Sequence, residues 1–145
     1  MSDAQRVSAI SSQLVRAGLE GGNPFRFRIV TESMRPSLRP GDDVIVQAVA
    51  WQQLRIGDVV LCDSGRMLVA HRLLAVRSPA GQPLLVTKGD ANWRLDAPYE
   101  LRAYRGRVVR VAVGAPAFDV AVGVLVGVGV PAGGVPLVVA LTVCG

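Results

Sequence analysis

From Phe25 to Val113 the chain is cut by glycine, proline and aspartate into short runs rich in β-branched and aromatic residues: Phe25–Val30, Val44–Val49, Asp58–Cys62, Met67–Val76, Pro83–Lys88 and Arg105–Val113. Such residues fit a pleated, half-buried surface. The length and spacing of the runs predict a mainly β fold, a small antiparallel β barrel or sandwich. With hydrophobic residues making up 50% of 145, the chain has ample material for one domain's core.

The flanks read differently. Asp3–Leu19 carries Val7, Ile10, Leu14 and Val15 close to one helical face, with Asp3 near its start and Gly18, Gly21 and Gly22 as stops, which predicts a short amphipathic helix. Its Arg6, Gln13 and Arg16 exclude a membrane span there, and no continuous apolar run marks an export signal. At the other end, Val120–Val143 holds no charged residue and, at about 1.5 Å rise per residue, is long enough to cross a hydrocarbon core of about 30 Å. Gly123, Gly127, Gly129, Gly133, Gly134, Pro131 and Pro136 would loosen such a helix. Two readings therefore stand, a C-terminal membrane anchor over 120–143 or Val-rich strands that complete the barrel. The expected organisation is a helix in 1–22, a β domain over 23–113 and an apolar tail over 114–145, membrane-associated through 120–143 and otherwise cytoplasmic. Arg102, Arg105, Arg107 and Arg110 ahead of the tail favour keeping the domain in the cytoplasm.

Basic residues outnumber acidic ones 16 to 11, and all but Lys88 are arginine. They are dispersed, with no basic block, zinc-finger spacing or aromatic ribonucleoprotein box, so nucleic acid is not an expected partner. Cys62 and Cys144 lie far apart and imply neither a disulfide framework nor a metal site, and no cofactor is expected.

Chemistry concentrates first in Thr31–Asp43, which joins two apolar runs. Pro36 restricts Arg35, and Pro40-Gly41 suits the central positions of a type II turn. Ser33 thus sits on a stiff loop at a strand end, either as a turn-stabilising hydroxyl or as a nucleophile. Leu54-Arg-Ile-Gly-Asp58 echoes Leu38-Arg-Pro-Gly-Asp42; in both, the carboxylate is expected to cap turn amides, which gives Asp42 and Asp58 a structural role. His71, the one histidine, lies in an apolar run, as a packed residue or as a base. Asp90 and Asp96 follow in a polar loop, six residues apart. Either could cap a turn, accept from an arginine or orient an imidazole, and spacing does not choose between them.

With these residues the chain resembles the clan of serine peptidases that includes type I signal peptidases and LexA-type self-cleaving repressors. The resemblance runs from about residue 25 to 110. It is carried by Glu32-Ser-Met-Arg-Pro-Ser-Leu38 with Gly41-Asp42, by Gly57-Asp58-Val-Val60, by His71-Arg72, by Thr87-Lys-Gly-Asp-Ala-Asn92 with Asp96, and by Gly106-Arg-Val108. Within the clan, bacterial-type signal peptidases and the repressors use a Ser-Lys dyad, whereas the endoplasmic-reticulum-type and archaeal-like branch has histidine as base. His71 stands at that position, and Lys88 belongs to the shared Thr-Lys-Gly-Asp box.

The resemblance implies a small antiparallel half-barrel of the signal peptidase/LexA type and a serine endopeptidase that removes a signal or leader peptide from a precursor protein. Ser33 would be the nucleophile, His71 the general base and Asp96 its orienting carboxylate, with Asp90 secondary. An imidazole, with an ordinary pKa of about 6.5, serves as base at neutral pH without the burial a lysine base requires. The Ser33 amide would meet the oxyanion, with Thr31 as candidate second donor. Two alternatives remain. One is a catalytically silent peptide-binding β module, which absence of a triad member would favour. The other is LexA-type self-cleavage, for which the residues before Phe25 are too few to form a helix-turn-helix domain.

Overall fold

A computed structural model describes residues 13–112 and the backbone of Leu137–Val138. Residues 13–20 form a helix, α1. The strands are Phe25–Arg28 (β1), Asp43–Gln47 (β2), Val59–Asp63 (β3), Leu68–Arg77 (β4), Leu84–Lys88 (β5), Tyr99–Glu100 (β6), Tyr104–Ala112 (β7) and Leu137–Val138 (β8). The first seven make one antiparallel sheet in the order β6-β5-β4-β3-β7-β2-β1, and β8 joins β1 in parallel. The sheet curls into a half-barrel. Register shifts between Ile45 and Val46, Leu61 and Cys62, and Leu73 and Ala75 supply the local bends. Central β7 approaches β2 so closely that a Cβ on Gly106 would lie 2.5 Å from the Gln47 carbonyl oxygen.

Alternation in the sequence sets the layers. In β1, Phe25 and Phe27 face the core while Arg26 and Arg28 are only partly covered. Both arginines reach Asp43, which faces Arg28 across the ladder: Arg26 Nε donates to Oδ2 at 2.7 Å and Arg28 Nε to Oδ1 at 2.8 Å. Asp43 is buried, and without these donors its charge would be strongly destabilising. One apolar cluster joins Val15 and Leu19 of α1 to Phe25, Phe27, Val44 and Val46 and extends to Met34, Leu61 and Leu68. A second holds Val60, Cys62, Leu73 and Leu85. The helix sits so close to β1 that a Cβ on Gly18 would lie 2.2 Å from the Phe25 ring.

Each expected run forms a strand within about two residues of the bounds read from the sequence, and Tyr99–Glu100 adds a two-residue strand that the patterning did not show. Of the helix expected over Asp3–Leu19, residues 13–20 are helical and the earlier ones lie outside the described residues. It stops where expected: the Gly21 amide bonds the Ala17 carbonyl, and Gly22 takes a left-handed φ of 84°. The tail expected over 114–145 lies outside the described residues except for Leu137–Val138, which are extended beside β1. Among the described residues no helix is long and apolar enough to cross a membrane.

Candidate active site

The Thr31–Asp43 connection is built as its prolines and glycine require. The Asp42 amide bonds the Arg39 carbonyl at 3.0 Å across Pro40-Gly41, Gly41 has a φ of 96°, and the Asp42 carboxylate accepts from the Arg39 amide at 2.9 Å. The second Gly-Asp turn repeats this. The Asp58 amide bonds the Arg55 carbonyl at 3.0 Å, and the Asp58 carboxylate caps the Arg55 amide at 2.8 Å. The structural role expected of both aspartates is what their bonds describe.

Ser33 follows β1 on this connection, His71 lies in β4 opposite Val60 of β3, and Asp96 lies beyond β5. Though distant in sequence, the three side chains meet. His71 Nε2 is 3.1 Å from Ser33 Oγ, and His71 Nδ1 is 2.6 Å from Asp96 Oδ2. Ser33 and His71 are both buried. The hydroxyl of Thr31, the candidate second donor to the oxyanion, lies 3.1 Å from Ser33 Oγ.

Asp96 is fixed from two sides. Thr87 Oγ1 donates to Oδ2 at 2.7 Å, and the Asp96 amide donates to the Thr87 carbonyl at 2.9 Å. Burial pushes the Asp96 carboxyl up, but hydrogen bonds from His71 and Thr87, with the nearby charge of Lys88, hold it below the usual carboxylate range. A carboxylate held ionised against Nδ1 favours the tautomer with hydrogen on Nδ1, which leaves the Nε2 lone pair facing Ser33.

Asp90, the other candidate for the third position, is engaged elsewhere. Arg72 donates Nε to Oδ1 at 2.8 Å and Nη2 to Oδ2 at 2.7 Å, and Ser37 Oγ donates to Oδ2 at 2.6 Å. These bonds, those from Arg72 foremost, hold the Asp90 carboxyl below its ordinary range against the opposing effect of burial. Arg72 also donates Nη1 to the Gly57 carbonyl at 2.7 Å. Asp90 thus joins the serine connection, through Ser37, to the strand that carries His71, through Arg72. Sequence reading did not find this strut; its one local sign is an arginine directly after the histidine.

The remaining residues of the Thr-Lys-Gly-Asp-Ala-Asn box hold the serine backbone. The Ala91 amide donates to the Ser33 carbonyl at 2.9 Å. A Cβ on Gly89 would sit 2.6 Å from that carbonyl oxygen, so only glycine lets the two loops touch. Lys88 Nζ donates to the Gly89 and Asn92 carbonyls at 3.1 and 2.8 Å, which closes the loop. Beside Ser33 and His71 lies a small cavity of about 20 Å³, lined by Phe27, Arg28, Ile29, Thr31, Met34, Leu61, Leu68 and Ala70. Among the described residues no group of His, Cys, Asp or Glu is arranged to hold a metal ion. No protein-family model matches the chain, and no curated protein is significantly similar to it.

Proposed function

We propose that the protein is a serine endopeptidase of the signal-peptidase kind, which removes a signal or leader peptide from a precursor. The observation that carries this reading is the hydrogen-bonded series Ser33, His71, Asp96, with contacts of 3.1 and 2.6 Å, beside a small cavity.

In this mechanism His71 Nε2 takes the Ser33 proton as Oγ attacks the scissile carbonyl carbon, and Asp96 stabilises the imidazolium that forms. The oxyanion is met by the Ser33 amide and the Thr31 hydroxyl. Collapse breaks the C–N bond, and His71 returns its proton to the leaving amine. Water, deprotonated by His71, then releases the acyl group and restores Ser33. The cavity beside Ser33, about 20 Å³, has room for no more than a small side chain next to the scissile bond.

The test is incubation of the full chain and its Ser33→Ala variant with precursor proteins that carry apolar leaders, followed by mapping of the new N-termini. Cleavage at one defined bond by the wild type alone is expected. Intact precursors, or equal cleavage by Ser33→Ala, would overturn the proposal.

A further inference from the structure

Strand β1 has two edges. One is paired with β2; the other carries Leu137–Val138 of β8 in parallel, with Arg26 opposite Leu137 and Phe27 opposite Val138. Phe27 also lines the cleft that contains Ser33 and His71, and the lining continues through Arg28, Ile29 and Thr31 to Ser33. β1 leads directly into the connection that carries Ser33, and with β2 on its other side the edge that β8 covers is the one left to an extended peptide.

A free strand edge offers backbone donors and acceptors to any extended chain, so one occupant excludes another. The sequence around β8, Pro136-Leu-Val-Val-Ala-Leu-Thr-Val143, is uncharged and almost wholly apolar. A two-residue parallel pairing is also a weak one, which a longer peptide can displace.

We propose that β8 is an intramolecular competitor for the substrate edge of β1, so that a peptide pairs with β1 beside the serine only by displacing it. The effect on turnover rests on the peptidase reading above; the occupancy of the edge does not. If the edge is free about one tenth of the time, apparent affinity for a peptide is about tenfold weaker than the site's own.

The experiment uses the full chain carrying Ser33→Ala, with and without Leu137→Pro and Val138→Pro together. Proline removes the amides of β8 and leaves the seven antiparallel strands unaltered. Two readouts need no catalysis. Hydrogen exchange of the β1 amides should quicken in the proline variant, and a lysine-flanked synthetic peptide of residues 136–143 should bind it about tenfold more tightly. Unchanged exchange, or equal or weaker binding, overturns the proposal. So does recovery of the full chain in membranes with β1 unprotected, which returns 120–143 to the anchor reading. In the catalytically intact chain the same prolines should lower KM with kcat unchanged. Absence of hydrolysis by every form would overturn the peptidase reading and leave the exchange and binding results to decide the competition.

Discussion

Replacing Asp90 by asparagine tests whether the strut, apart from the reacting groups, sets the geometry of the site. The carboxylate accepts two bonds from Arg72 and one from Ser37, all at 2.8 Å or less. An amide keeps one acceptor oxygen and turns an NH2 toward a guanidinium that only donates. A charge-assisted bond is lost and Arg72 keeps the Gly57 carbonyl. Both side chains retain some solvent contact, 30% for Arg72 and 17% for Asp90, so the cost is about 2 kcal/mol rather than that of a fully buried pair. For a domain of this size that lowers the melting midpoint by about 10 °C. The sign of its pH dependence follows from the lowered Asp90 pKa. The wild type's advantage is complete above the unfolded carboxyl pKa of about 3.9 and disappears as pH falls through the folded value. Denaturant unfolding of the two proteins between pH 7 and pH 3 measures it. In the same variant kcat should fall about a hundredfold, the scale of an ångström-sized misplacement. Equal stability at pH 7, or a gap that persists undiminished in acid, would refute the strut.

Asp96→Asn keeps the shape but removes the charge that selects the imidazole tautomer; kcat should drop on the order of 10³ to 10⁴-fold, and a drop under tenfold in steady-state kinetics would remove Asp96 from the triad. Gly89→Ala places a methyl group 2.6 Å from the Ser33 carbonyl oxygen, so activity should fall about a hundredfold, and unchanged kinetics would show that the loop contact does not set the serine. Burial pushes the Cys62 thiol up to about 12; peptide mapping after iodoacetamide at pH 8 should find Cys62 unmodified in the native chain and modified in denaturant, and rapid native modification would contradict its buried position.

The strands were legible because each is a local property: β-branched runs bounded by glycine, proline and aspartate specify strand and turn without knowledge of the rest. The two Gly-Asp turns were legible for the same reason, down to their carboxylate caps. Tyr99–Glu100 was not, because two residues carry no period and pair only when β5 offers an edge. The site is another kind of problem. Ser33, His71 and Asp96 are 38 and 25 residues apart, and no spacing rule joins them. Only the order of the boxes in the family resemblance put them on one list, and only the fold of β4 beside β3 and β5 brings them into contact. The choice between Asp90 and Asp96 depends on which carboxylate meets Arg72, a tertiary fact absent from the intervening six residues. Asp43 shows the same limit, since its burial between two arginines needs the β1–β2 register to be known.

The central claim is that Ser33, activated by His71, is the nucleophile. Its most direct measurement is kcat/KM for one peptide bond that the full chain cleaves, compared between wild type and Ser33→Ala at the same pH. Loss of the hydroxyl should lower the rate by a factor of at least about 10⁴, to the residual level that binding and the oxyanion donors alone sustain. Cleavage of that bond by Ser33→Ala within tenfold of the wild-type rate would contradict the account.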